Sequence, residues 1–446
     1  MTNDRPADGQ TWAPRADIAP VTGRTRTGRF TTRANGTRTC AGGWQFRFDG
    51  IRPGRGYRIL TTARHRGLPN ARDCLVAIAH WGDWEPGDVR PRRPWNYLLP
   101  RAAAPGTMEF ECIAKAPKGA TTLTVRLVFR WADRGQATWD PPSIAQSDVP
   151  GRRPVKVCIV NETRQTRDRM RIQGFSRGLG LPTDVAEGVD VYATLVRAAC
   201  RRKAQLIVTP EVVVAGRGPA GAVEVPGPAT EPFQQIARDH GAHVVLGLRR
   251  RDGDATRNSA VLIGPEGIQG IYDKVHLAIS EGLNGSLPGD SFPVFETPHG
   301  RVGCLICMDT TVCESARMTA LNGAEFICFP IMGDLRADRF SPGDPVFNES
   351  RWKAIMRTRA IDNQVCMVVA RNDVRGSCII DRKGDLLAWN EGYDEFTMAT
   401  VARDDGYLDW LGGDFRGVTF LLRRPHLYGR YADEDCLGPC RRRRET

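Results

Sequence analysis

The sequence predicts an α/β chain in which an all-β sandwich precedes a layered α/β domain, and three observations carry that expectation. Short runs of alternating character fill residues 31–150. Apolar strands alternate with helix-spaced segments over residues 151–431. A Pro/Gly-rich break, Pro141-Pro142 and then Ser147 to Pro154, parts the two textures as a linker would.

Residues 1–30 are polar, rich in Pro, Gly, Thr and Arg, with little apolar periodicity, and are expected to form a disordered arm. The runs WQFRFDGI, YRILTTARH, CLVAIAHW, TMEFECIAK and LTVRLVFRW then read as sandwich strands bounded by turn residues. Seven of the ten tryptophans (Trp12, Trp44, Trp81, Trp84, Trp95, Trp131 and Trp139) fall before residue 150, where large aromatics would fill a sandwich core. In pattern, not in signature residues, this segment resembles jelly-roll carbohydrate-binding-like modules.

Beyond the break, VKVCIV, AQLIVTPE, AHVVLGL, NSAVLIG, RVGCLIC, FICFPIM and CMVVARN read as strands. Helical spacing marks Val189 to Lys203, Glu231 to His240, Val312 to Leu321 and Glu349 to Asn363. Residues 432–446 are read as a basic tail carrying the block Arg441 to Arg444.

With 446 residues, 41% hydrophobic and 26% charged, the chain can bury an enzyme-sized core. The N-terminus lacks an apolar h-region, and no run approaches a membrane span, so the expected location is the cytoplasm, with no membrane partner. The net charge of +12 permits nucleic-acid binding, but the arginines are dispersed and no aromatic-basic platform accompanies them. Thirteen cysteines, an odd number scattered from Cys40 to Cys440, point to reduced thiols.

The stretch GCLICMDTTVC gathers Cys304, Cys307 and Cys313. As C-x-x-C, Cys304 and Cys307 could be zinc ligands, but a strand followed by a helix offers no second converging pair, and no metal is expected. Cys304 lies within the strand and reads as core; Cys313, in the first turns of a helix, reads as packing. Cys307 stands where the strand ends and can face a cleft, with a helix N-terminus to favour its thiolate, which makes it the candidate nucleophile. A nucleophile needs a base and an oxyanion donor. His276 and His299 are nearest in sequence, which does not establish pairing in space. Glu211 and Lys274 close or interrupt apolar strands; either alone would read as a surface residue, and together with Cys307 they form a set.

LIVTPE, Tyr272-Asp273-Lys274-Val275-His276-Leu277 and Gly303-Cys304-Leu305-Ile306-Cys307-Met308-Asp309 together resemble the three signature blocks of the nitrilase, or carbon-nitrogen hydrolase, superfamily. RAIDNQ, VVARND and RRPHLY follow in the same order, so the resemblance spans about 154–431. It implies a four-layer α-β-β-α sandwich, a homodimer and no cofactor. It further implies Cys307 as nucleophile, Glu211 as general base, and Lys274 with the backbone N–H of Met308 as oxyanion stabilisers. Glu281, in AISEGLNG, is the match for a second glutamate that positions substrate, and His276 supports the site from behind. The loop Gly333 to Asn348 should rim the pocket.

True nitrilases tend to carry Trp-Glu after the nucleophile; Met308-Asp309 leans toward the amidase and carbamoylase branches. The leading expectation is hydrolysis of an amide or N-carbamoyl substrate to an acid and ammonia or an amine, through a thioester. The alternatives are nitrile hydrolysis or acyl transfer to an amine on the same site, or a binding protein whose sandwich holds a glycan or protein partner. Nucleic-acid binding ranks lowest.

Overall fold

The computed structural model describes residues 8–83, 94–149, 153–163, 184–216, 219–338, 341–403 and 419–432. The linker residues 150–152, Trp84 and the basic tail from residue 433 onward lie outside them. The chain divides into two compact units, one combining residues up to Gly151 with those from Asp404 onward, the other spanning Arg152–Arg403.

The first unit is built on β1 (Gln10–Trp12), β2 (Val21–Arg24), β3 (Phe30–Arg33), β4 (Ala41–Asp49), β5 (Gly56–Arg66) and β6 (Leu75–Trp81), the last preceded by a single helical turn, α1 (Ala71–Cys74). It continues through β7 (Trp95–Ala104), β8 (Thr107–Lys115), β9 (Thr122–Arg130), β10 (Gln136–Trp139) and β11 (Ser143–Gln146). The ladder order is β1-β4-β9-β6-β7-β8-β5-β10-β3-β2, with β11 added on β5. Where the sequence leads one to expect two sheets, the hydrogen bonds trace one continuous antiparallel path, because β7 pairs β6 through Leu98 and β8 from Leu99 onward. Alternate residues of both halves, among them Phe46, Ile59, Phe110, Leu127 and Trp139, share one core.

Of the described tryptophans before residue 150, Trp44, Trp81, Trp95 and Trp139 are buried, whereas Trp131 is 52% exposed. The arm expected to be loose is ordered from residue 8 and contributes β1 and β2. Its polar composition hides two anchors. Trp12 lies under the buried Arg126 guanidinium at 4.0 Å, and Phe30, at its end, packs edge-on against Trp44 and Phe46. RRPHLY, read from sequence as part of the α/β domain, groups instead with the first unit. There Arg424 bonds Asp73 at 3.1 Å and His426 lies 2.9 Å from Asn70.

In the second unit, β12 (Val155–Val160), β13 (Leu206–Val208), β14 (His243–Asp252), β15 (Ala255–Gly264) and β16 (Gly267–Asp273) join β23 (Phe396–Val401) in a six-stranded sheet, order β16-β15-β14-β13-β12-β23. A second six-stranded sheet has the order β17-β18-β19-β20-β21-β22. Its strands are β17 (Val294–Thr297), β18 (Gly300–Cys304), β19 (Phe326–Ile331), β20 (Cys366–Arg371), β21 (Cys378–Ile380) and β22 (Leu386–Trp389). Each sheet has a parallel trio, β12-β13-β14 and β18-β19-β20, followed by an antiparallel pair. The trios read as continuous apolar runs because both of their faces are covered.

On the first sheet lie α2 (Val185–Arg201) and α3 (Glu231–His240), whose Val191, Leu195, Phe233 and Ile236 bury against Val160, Val244 and Ile263. The helix α2 begins four residues earlier than its apolar spacing indicates, because Asp184 caps the Glu187 N–H at 2.8 Å. On the second sheet pack α5 (Cys313–Leu321) and α7 (Glu349–Asn363); the short α4 (Ile279–Leu283) and α6 (Leu335–Asp338) belong to the connections between strands. Between the sheets, β12 meets β20 and β13 meets β19. Among the described residues no helix is long and apolar enough to cross a membrane, and no cysteines are joined in a disulfide.

Candidate active site

The site assembles at the carboxyl ends of the parallel strands, where open α/β sheets leave a crevice. Glu211 sits three residues beyond β13 and is 2% exposed. The turn that carries it runs close over β14: a Cβ on Gly247 would stand 2.2 Å from the Pro210 carbonyl oxygen, so only glycine fits there. From the other sheet, the Asn372 amide brackets the Glu211 backbone, accepting from its N–H at 3.2 Å and donating to its carbonyl at 2.7 Å.

Lys274 follows the last residue of β16 and is equally buried. Its Nζ lies 3.1 Å from Glu211 Oε1 and 2.7 Å from Glu281 Oε2. Glu281 reaches it from α4, where its carboxylate also accepts from the Ala278 N–H at 2.8 Å. Asn258, on β15 beside Lys274, donates one amide nitrogen to both carboxylates, at 2.8 Å to Glu211 and 2.7 Å to Glu281. The Met332 N–H completes the Glu211 shell at 2.9 Å to Oε2.

Cys307 opens a four-residue 3₁₀ turn after β18, with φ of 45° in the left-handed region, and its Sγ faces the Gly333 carbonyl at 3.8 Å. The thiol does not have the lowered pKa that a helix N-terminus would give. Burial pushes it up, the Glu211 carboxylate beside it adds to the rise, and Lys274 only partly opposes them. Burial alone would lower the Lys274 ammonium, but Glu211, Cys307 and Glu281 reverse this and hold it above the usual lysine range. Burial works against the charged form of Glu281 as well, yet Lys274, Asn258 and the Ala278 N–H keep its carboxyl below the usual range.

The structure thus brings Glu211, Lys274, Glu281 and the Cys307 turn together. Met308 occupies the second position of that turn. His276 stands behind the site, its Nδ1 2.9 Å from Asp309 Oδ1, and His299 lies elsewhere, edge-on to His243 at 4.9 Å. Cys304 is fully buried, as its strand position predicts, whereas Cys313 is exposed and lies beside Glu314 at 3.2 Å. Its place in the first turn of α5, ahead of the buried stripe Ser315, Ala316, Thr319 and Ala320, leaves it on the solvent side. In the loop after β19, Asp334 ties back to the cysteine turn by accepting from Thr310 Oγ1 at 3.1 Å. Among the described residues no three His, Cys, Asp or Glu side chains gather as a metal-ligand set.

A thiol, a buried carboxylate–ammonium pair and a second glutamate thus meet at the mouths of two α/β sheets. The chain belongs to the carbon-nitrogen hydrolase family, which it matches over residues 173–409. Among curated relatives, a nitrilase of Pyrococcus abyssi (strain GE5 / Orsay) is 36% identical over 185 residues, 40% of this chain and 65%, just under two thirds, of that protein. The omega-amidase NIT2-B of Xenopus laevis is 30% identical over 221 residues, 46% of this chain and 73% of that one. A crystal structure of an amidase from Nesterenkonia sp. is 20% identical, with a TM-score of 0.48, covering 64% of this chain and 99% of that chain.

Proposed function

We propose that this chain hydrolyses the carbon–nitrogen bond of an amide or N-carbamoyl compound through a thioester on Cys307. The observation that carries the reading is the buried Glu211–Lys274 pair set against the Cys307 turn. In this reading the raised thiol keeps its proton until substrate is bound. Glu211 then accepts it as Cys307 Sγ attacks the carbonyl carbon. Lys274 and the Met308 N–H stabilise the oxyanion as the tetrahedral intermediate forms. The intermediate collapses as the C–N bond breaks, and Glu211 returns the proton to the departing ammonia or amine. Glu211 next draws a proton from water, which attacks the thioester and releases the acid and the thiol.

Glu281 and Asn258 hold the Lys274 ammonium and the Glu211 carboxylate in place throughout. The names of the relatives, nitrilase and omega-amidase, support cleavage at a C–N centre. Met308-Asp309 favours the amide and carbamoyl branches over nitriles. The same reading stacks the two sheets and their helices as α-β-β-α and makes the enzyme a cytoplasmic homodimer.

The test is a screen of amides, N-carbamoyl compounds and nitriles for ammonia release, run on the parent chain and Cys307→Ala. Turnover should vanish in the variant, and the parent should show an acyl adduct by mass spectrometry. Retained turnover in Cys307→Ala sinks the reading.

A further inference from the structure

Asp309 lies two residues beyond Cys307 and is completely buried. A buried carboxylate is costly to keep unless its oxygens are fully satisfied, and this one is engaged by two separate segments. Oδ2 accepts from the Tyr272 hydroxyl at 2.6 Å and from the Ile306 N–H at 2.8 Å. Oδ1 accepts from the His276 N–H at 3.0 Å and meets the His276 ring Nδ1 at 2.9 Å. Tyr272 and His276 flank Lys274 by two residues on either side, and Ile306 immediately precedes Cys307.

We propose that Asp309 is a positioning residue, a clamp that locks the Lys274 segment of the first sheet to the Cys307 turn of the second. The proposal deepens the functional reading above and rests on it, since it matters only if Cys307 and Lys274 act together. Two features support it besides the hydrogen bonds to Tyr272 and His276. Cys307 adopts φ of 45°, a left-handed conformation that is strained for a residue with a Cβ and persists only where its surroundings over-determine it. Asp309 supplies that over-determination. Its side chain takes the Ile306 N–H, its own N–H donates to the Ile306 carbonyl at 3.0 Å, and Thr310 Oγ1 donates to the Cys307 carbonyl at 3.2 Å. Secondly, burial and then the adjacent Asp309 raise the Tyr272 phenol, so Tyr272 keeps its proton and stays a donor.

The decisive variant is Asp309→Asn, which preserves shape but turns one acceptor oxygen into a donor facing either Tyr272 and Ile306 or His276. A misplacement near 1 Å costs about 100-fold in rate, so kcat should fall by about that factor with KM within about twofold of the parent. Alkylation of Cys307 by iodoacetamide, which needs no substrate, should change rate by about tenfold, whereas the thermal midpoint serves as the folding control. Parent-like kcat and alkylation rate in folded Asp309→Asn overturn the proposal, as does a change confined to KM. Should Asp309→Asn not fold, Tyr272→Phe removes a single donor and decides the matter on the same readouts. Turnover surviving in Cys307→Ala defeats the functional reading instead, and the alkylation result still reports on the clamp.

Discussion

Replacing Lys274 with Met removes the cation that lies 3.1 Å and 2.7 Å from the two carboxylates of a buried cluster. Taking one partner from a buried ion pair destabilises by about 3–5 kcal/mol, because the other charge is left uncompensated. Here two carboxylates lose that partner, Arg249 still acts on Glu281 from a distance, and the Asn258 amide is left bridging two like charges. At about 2–4 °C per kcal/mol for a unit of this size, the thermal midpoint should drop by roughly 10 °C. Adding Glu211→Gln to Lys274→Met removes one of the stranded charges at nearly constant volume, and should recover at least half of that loss while activity stays absent. Differential scanning calorimetry of the parent, both single variants and the double variant gives the answer. A midpoint in Lys274→Met within about 2 °C of the parent, or a double variant no more stable than Lys274→Met, refutes the claim that the pair is electrostatically coupled.

Asn258→Ala removes two hydrogen bonds to charged acceptors, each worth about 1.5–3 kcal/mol, and should lower kcat/KM by about 100-fold in a continuous ammonia assay; a loss under about fivefold counts against its role. His243 is buried edge-on to His299, and burial, then that neighbour, push its imidazole down to about 4. Between pH 6.5 and 4 the unfolded chain therefore binds a proton that the folded chain refuses. Stability is complete above that window and falls by up to about 3 kcal/mol as pH drops through it. Urea melts at pH 7 and 4.5 should show His243→Gln losing less than the parent, and equal losses would contradict the assignment.

The positions of some site residues, though not their roles, were legible in local pattern. Glu211, Lys274 and Cys307 each end an apolar run, and the boundaries of β12, α3 and α7 follow from periodicity and turn residues. Asn258 carried no such signal, since an asparagine opening NSAVLIG looks like any strand-edge polar residue. Its role comes from the β15–β16 register, which sets Ser259 opposite Asp273 and so brings Asn258 beside Lys274. Asn372 lies in the VVARND block, but its bonds to the Glu211 backbone come from a turn on the opposite sheet. The order of residues 8–30 depends on Trp12 and Phe30 finding distant partners, which composition cannot convey. The state of the Cys307 thiol ran against expectation because a single 3₁₀ turn supplies little dipole, while burial and Glu211 supply a great deal of the opposite effect.

The two parallel trios have a consequence for how this enzyme tolerates change. The carboxylate and ammonium are mounted on one sheet and the sulfur on the other, so in the proposed mechanism the gap a proton crosses is also the spacing between two slabs of core. Substitutions of contact residues between β12 and β20, or between β13 and β19, act on that gap as surely as substitutions in the cluster itself. In the proposed mechanism the packing between the sheets therefore sets the proton-transfer distance as well as the stability of the fold.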